Sequence, residues 1–218
     1  MEEIGMGCKR FPLGALWTNG YLFFNRGEDQ KDGVAFFIDP GGDAEEVIEY
    51  LNRNRLTLKA VLLTHGHLDH IAGIEKLAPL VKDEIYISQE DAVILKRPPV
   101  EVQRALGMKC EGVENFKTVS DGDVLSIAQL EVKVMATPGH TPGSVCYLIS
   151  GGDKSLLASG DTLFAQSVGR TDLAGGDWDE LVRSIKKLAV LPDNLRVLPG
   201  HGPDTTIGRE RKSNPFWP

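Results

Sequence analysis

The chain has 218 residues, 41% of them hydrophobic and 25% charged, values of an ordinary globular protein long enough to bury a full core. Its formal charge of −7 argues against a nucleic-acid backbone as the main partner, because phosphate binding needs a basic surface. No apolar run approaches the ~20 residues of a membrane helix, and Cys8, Cys110 and Cys146 form no CxxC pair and suit a reducing cytoplasm.

Met1-Glu2-Glu3 is acidic and lacks a basic n-region, which predicts no secretory leader. Asn19-Gly20 is a hairpin-turn signal with an apolar strand expected on each side. Val34–Ile38 reads as a strand ending at Asp39-Pro40-Gly41-Gly42, and Asp43 caps a helix whose apolar face is Val47, Ile48 and Leu51. Ala60–Leu63 is a second buried strand, followed by a helix over roughly Ile71–Leu80. Glu84–Ser88 predicts a short strand and Gln89–Lys96 a short helix stopped by Pro98-Pro99. Residues 98–114 give weak signals and read either as a wall or lid of a site or as a surface excursion.

Val124–Ile127 and Leu130–Ala136 read as paired strands, followed by strands at Ser144–Ile149 and Ser155–Ser159. Asp177 and Glu180 form a capping-box pattern before the helical stripe Trp178, Leu181, Val182, Ile185, Leu188 and Ala189. Pro192 ends that helix, Arg196–Leu198 is the last expected strand, and Arg209, Arg211 and Lys212 read as a solvated charged tail. Strands alternating with helices predict an α/β fold, one domain over 1–218, with two sheets face to face and helices outside.

The chemistry is concentrated in Thr64-His65-Gly66-His67-Leu68-Asp69-His70, between a strand and a helix. A turn there can aim several side chains at one point, and neutral imidazole and carboxylate are ligands that Zn2+, Fe2+ and Mn2+ accept. The chain has five histidines, and the two outside this cluster, His140 and His201, each stand in a Pro-Gly-His turn after an apolar run. Asp39 and Asp161 also follow strand ends, so five loops are expected at one rim.

THGHLDH, followed in order by TPGHTPG, SGD and PGHG, resembles the metallo-β-lactamase superfamily over nearly the whole chain. The resemblance implies an αββα sandwich with a dinuclear metal site between the sheets. Matched residue by residue, His65, His67 and His140 stand where the first metal's ligands stand. Asp69, His70 and His201 match those of the second, and Asp161 the bridging carboxylate. Asp69 and Asp161 are thereby the carboxylates placed in the catalytic machinery. Asp39 matches an acidic residue that supports the site without ligating, and reads equally as a turn former before Pro-Gly-Gly.

Aspartate rather than cysteine at 161, and the segment Gly160–Phe164 followed by Gly169-Arg170, resemble glyoxalase II, the hydroxyacylglutathione hydrolase group. So do Thr206–Glu210 and Asn214-Pro215-Phe216 near the C-terminus. Classical members carry a helical domain before that tail, whereas only about a dozen residues separate His201 from Asn214 here. The chain is therefore similar to a compact bacterial branch, with glutathione or another thiol carrier as partner. The implied activity is thioester hydrolysis by a metal-bridging hydroxide, with two divalent ions, Zn2+ first and Fe2+ or Mn2+ accepted. Arg170 is expected to contact the thiol portion of a small-molecule thioester. The alternatives are a mononuclear-iron persulfide dioxygenase using His65, His140 and Asp161, then a phosphodiesterase or nuclease, then a non-enzymatic metal module. No nucleic-acid or membrane partner is expected.

Overall fold

The structure, a computed structural model, describes residues 6–26 and 32–218. The residues on which the leader expectation rests lie outside that range. The first half runs β1 (Gly7–Leu13), β2 (Thr18–Arg26), β3 (Gly33–Ile38), α1 (Glu45–Arg53) and β4 (Leu56–Leu62). Two short helices, α2 (Leu68–Ile71) and α3 (Ile74–Leu77), precede β5 (Glu84–Ser88), α4 (Ala92–Lys96), α5 (Val100–Leu106) and β6 (Lys117–Val119). The second half runs β7 (Val124–Ile127), β8 (Leu130–Ala136), β9 (Val145–Gly151), β10 (Lys154–Gly160) and a small hairpin of β11 (Leu163–Phe164) and β12 (Ser167–Val168). It closes with α6 (Trp178–Leu188), β13 (Arg196–Pro199), β14 (Thr205–Thr206) and α7 (Ile207–Ser213).

The strands form two six-stranded mixed sheets, ordered β1-β2-β3-β4-β5-β6 and β14-β13-β10-β9-β8-β7. In the first, β1–β3 pair antiparallel and β3–β6 parallel. Alternation of side chains along each strand then sorts the apolar residues into three layers. Ala35, Phe37, Val61 and Leu63 face outward onto Val47, Leu51, Ile71 and Ile74. Phe36, Ile38, Ala60 and Leu62 face inward onto Val132, Val134, Tyr147 and Ile149 of the second sheet. Met135, Cys146, Leu157 and Val197 form that sheet's outer face against Ile185, Leu188 and Ile207. The result is the expected αββα sandwich.

Strand β4 contains an irregularity that pattern reading does not reveal. Ala35 pairs with Leu58 and Phe36 with Ala60, leaving Lys59 as an extra residue. Leu56 and Leu58 face the outer helices, whereas Ala60 and Leu62 face the inter-sheet core. The extra residue is what moves the even-numbered side chains from one face to the other.

One sequence expectation needs correction, and two stretches that the pattern left open acquire structure. Asn19-Gly20 is not a turn: both lie inside β2, paired with Pro12 and Phe11. The turn is at 14–17, where Gly14 (φ +67°) and Trp17 (φ +56°) take left-handed backbone. Asn19 is used instead as a clip, its Nδ2 donating to the Pro199 and Gly202 carbonyls at 3.0 and 2.9 Å. The 98–114 excursion contains α5, which has no buried residue. It is anchored at its far end by Val113 N–H donating to the Leu95 carbonyl. The C-terminal charged tail is helix α7, tied down by Glu210, which is fully buried.

Candidate metal centre

Five strand ends deliver the site. Asp39 follows β3, residues 64–70 follow β4, residues 137–143 follow β8, Asp161 follows β10 and His201 follows β13. Asp39 sits at φ +54° and its carboxylate is buried. Its Oδ1 accepts the Thr64 N–H at 2.8 Å, and its Oδ2 accepts the Thr64 hydroxyl at 2.6 Å and His70 Nδ1 at 2.9 Å.

These bonds decide which imidazole nitrogens carry lone pairs. The single Thr64 hydroxyl hydrogen goes to Asp39, so the 3.0 Å contact between Thr64 Oγ1 and His65 Nδ1 assigns the proton to Nδ1 of His65. Its Nε2 is then an acceptor, and it is buried with no hydrogen-bond partner. His140 Nδ1 donates to the Arg170 carbonyl at 2.7 Å, which turns its Nε2 toward His67 Nδ1 at 2.9 Å.

Asp161 stands between the histidines. Its Oδ1 is 3.3 Å from His70 Nε2, and its Oδ2 is 3.5 Å from His140 Nε2 and 3.7 Å from His201 Nε2. Asp69 Oδ2 lies 3.3 Å from His201 Nε2 and 3.7 Å from His70 Nε2, and accepts the Thr18 hydroxyl at 3.3 Å. Three groups result, each with its ligand atoms within 4.8 Å of one another: His65, His67 and His140; His65, His70 and Asp161; Asp69, His70 and His201. All seven expected ligand residues are brought together.

The donor chemistry fits divalent cations. His65 Nε2, His70 Nε2 and Asp161 Oδ1 are buried, close together and without hydrogen-bond partners. Lone pairs facing one another in a buried site are costly unless a cation lies between them, whether a metal ion or, without one, the proton that His70 takes up beside Asp161. Burial, aided by neighbouring imidazoles, pushes His65 well below the usual imidazole range and His67 down to about 4, which keeps both neutral. Burial opposes charging of Asp69 and Asp161 as well. The His201 hydrogen bond and the His70 charge outweigh it at Asp69, and the His70, His140 and His201 charges at Asp161, so both carboxyls stay below the ordinary carboxylate range.

The family model of the metallo-beta-lactamase superfamily matches residues 29–201. The chain belongs to that superfamily. A hydroxyacylglutathione hydrolase, GloC, of Haemophilus influenzae is 35% identical over 220 residues, covering 97% of this chain and 98% of the relative. The crystal structure of BLEG-1, a B3 metallo-beta-lactamase, superposes with a TM-score of 0.86 at 38% identity, covering 97% of this chain and 99% of that one. TTHA1623 in a di-iron-bound form superposes with a TM-score of 0.81 at 32% identity, covering 95% and 99%. The superfamily fold and the His/Asp cluster together imply divalent metals and a metal-dependent hydrolase.

Arg170 meets the centre through its main chain. Its guanidinium forks onto Asp172 at 2.7 and 2.6 Å at the exposed surface, and it is the Arg170 carbonyl that touches the histidine cluster. Pattern reading also missed Asn19, Thr18 and Asp91, which touch the site loops through hydrogen bonds spanning 25 to 183 residues of sequence. Thr18 and Asp91 stand in no motif, and Asn19 stands only in the misleading turn signal. No helix among the described residues is long and apolar enough to cross a membrane.

Proposed function

We propose that this chain is a dinuclear metal-dependent thioester hydrolase of the hydroxyacylglutathione hydrolase type, acting on a small-molecule thioester of glutathione or another thiol carrier. The observation that carries the reading is the composition of the site. The candidate ligand side chains that converge there are histidines and aspartates, with Asp161 directing one oxygen to His70 and the other to His140 and His201.

In this reading His65, His67 and His140 hold one ion, Asp69, His70 and His201 the other, and Asp161 lies between them. Zn2+ is the first candidate, with Fe2+ and Mn2+ accepted by the same donor set. Bound divalent cations supply a water acidified to a pKa of about 7 and positive charge for a developing oxyanion. The chain's own part is to aim lone pairs and compensate charge. Asp39 fixes His70, and through Thr64 it fixes His65. A thiolate, whose conjugate acid has a pKa of about 8.5, leaves with little help from a general acid, unlike an amide nitrogen, and this supports a thioester as the substrate.

One specific observation favours a second reading, β-lactam hydrolysis: the likeness to a B3 metallo-beta-lactamase at 38% identity. Both are read in one experiment on a single metal-analysed preparation. Metal-dependent thiol release from 2-hydroxyacyl thioesters, far exceeding lactam cleavage, supports the proposal. Faster lactam opening, or sulfite release from a persulfide under oxygen by protein holding one iron, overturns it. We place the activity in one hydrolase domain over 1–218, in a reducing cytoplasm that suits the unpaired Cys8, Cys110 and Cys146.

A further inference from the structure

A buried carboxylate outside every strand-end motif joins the two loops that carry His65, His67 and His140. Asp91 stands just before α4 and is 1% exposed. Its Oδ2 accepts the Gly66 N–H and the Thr141 hydroxyl, each at 2.8 Å, and its Oδ1 accepts the Gly143 N–H at 3.0 Å. Gly66 lies between His65 and His67, and Thr141 directly follows His140. The donors are two backbone N–H groups and one hydroxyl, and none is a cation. Glycine at both places lets the backbone reach the carboxylate. A Cβ at 143 would come within 2.5 Å of Asp91 Oδ1, and one at 66 within 3.3 Å of Asp91 Cβ.

We infer that Asp91 is a positioning residue: it clamps loop 64–70 to loop 137–143 and thereby sets the mutual geometry of His65, His67 and His140. The inference rests on the metal-centre reading above. Asp39 does a separate task, since its donors are Thr64 and His70. Burying a carboxylate is costly without full hydrogen bonding. Here each of the contacts that satisfies it comes from one of the two histidine loops.

The carboxylate is required, not merely a polar side chain of that size. In Asp91→Asn, the amide nitrogen replaces either Oδ2, leaving the Gly66 N–H facing a donor, or Oδ1, leaving the Gly143 N–H facing one. The first orientation frees loop 64–70 from loop 137–143; the second keeps Gly66 and Thr141 on the one remaining oxygen but sets the Gly143 N–H against a donor, so the clamp is weakened in either case. The consequence falls on the histidine triad shared between them, and not on Asp69, His70 and His201.

The test is a competition titration of full-length protein with Zn2+ against a chromophoric chelator, together with visible absorption of the Co2+-loaded protein. His140→Ala and His201→Ala serve as references that assign the two binding constants. Asp91→Asn should keep the wild-type circular dichroism, weaken the constant lost in His140→Ala by about 10–100-fold, and leave the other unchanged. Unchanged constants, or equal weakening of both, would overturn the inference even if the variant melts earlier, because that is what a merely structural role gives. Where Asp91→Asn does not fold, Thr141→Val removes one of the three bonds, and a few-fold weakening of the same constant is expected; none overturns it. Wild-type protein that takes up no divalent ion would overturn the underlying reading, and this inference with it.

Discussion

Gly200 lies against the Asp161 carboxylate. A Cβ at position 200 would come within 2.2 Å of Asp161 Oδ1 and 2.7 Å of His70 Cε1. Gly200 is not among the residues with left-handed backbone, so the conflict is chiefly with the two site side chains, with the Gly160 main-chain carbon next at 3.2 Å. Gly200→Ala should displace Asp161 and His70 and cut both metal content and turnover, by at least the ~10–100-fold typical of outer-shell losses. Metal per chain and kcat on one preparation check this. Full metal with wild-type turnover would show that the observed Asp161 position is not needed.

Acid should compete with metal. Burial opposes charging of His70 and His201, but the Asp161 and Asp39 carboxylates outweigh it at His70, and the Asp69 hydrogen bond and the Asp161 charge outweigh it at His201. Both imidazoles therefore hold their protons above the ordinary value of about 6.5. A raised pKa means the proton is present at low pH and leaves as pH rises, and metal binding must expel it. His65 and His67, both lowered, add no such competition in the same range. Apparent metal affinity should rise with pH through the ordinary imidazole value of about 6.5 and keep rising above it, because both protons are held more tightly than usual. A chelator competition that levelled off at that value would contradict the argument.

Arg170 separates a side-chain role from a main-chain one. Arg170→Ala keeps the carbonyl that accepts His140 Nδ1 and removes only the guanidinium held by Asp172. Metal content should be unchanged. If the guanidinium leaves Asp172 to meet a thioester's carrier, KM should rise more than kcat falls, since ground-state binding is what is lost. Identical kinetics toward every thioester tried would leave Arg170 only its carbonyl and its surface ion pair.

The β7–β8 hairpin offers a stability test remote from the site. Ile127 pairs with Leu130, and both residues between them, Ala128 and Gln129, have positive φ, +53° and +61°. That is a type I′ turn without its usual Asn-Gly. Left-handed backbone costs an L-residue about 1–2 kcal/mol, partly offset by the entropy glycine loses on ordering. Gln129→Gly should stabilise by roughly 0.5–1 kcal/mol, a rise of about 1–4 °C in Tm for a chain of this size. Activity should be unchanged, because β8 runs from this turn toward His140 and the turn is at its far end. A lower Tm would mean that the weak 3.4 Å hydrogen bond from Asn25 Nδ2 to Gln129 Oε1 outweighs the backbone relief.

The convergence of the histidines with Asp69 and Asp161 was legible in the sequence because these residues are carried in short turns next to strand ends, where local order puts side chains at one rim. The sandwich was legible because runs such as Val34–Ile38 are covered on both faces. The groups that aim the ligands were not. Asp91 reaches Gly66 and Thr141 across 25 and 50 residues, and nothing local distinguishes it from a helix-cap aspartate. Asn19 was misleading for the same reason. Asn-Gly favours a turn when only neighbours act on it, but here two carbonyls of the His201 loop recruit the amide. Helix α7 was hidden because its anchor is Glu210, which accepts the Gln166 N–H at 2.7 Å and the Asn214 amide at 2.8 Å, a charged residue that composition places outside.

The candidate ligand residues come from both sheets: His65, His67, Asp69 and His70 from the loop after β4, and His140, Asp161 and His201 from loops after β8, β10 and β13. A cation held among them is therefore a cross-link between the two halves of the sandwich, made at the rim where the strands end. By mass action, resistance to unfolding then becomes a function of free ion concentration, gaining about 2.7 kcal/mol when the ion stands at a hundred times its dissociation constant. Starving a cell of the metal would loosen the protein as well as silence it, and the same loosened rim would be the first place for a protease to enter.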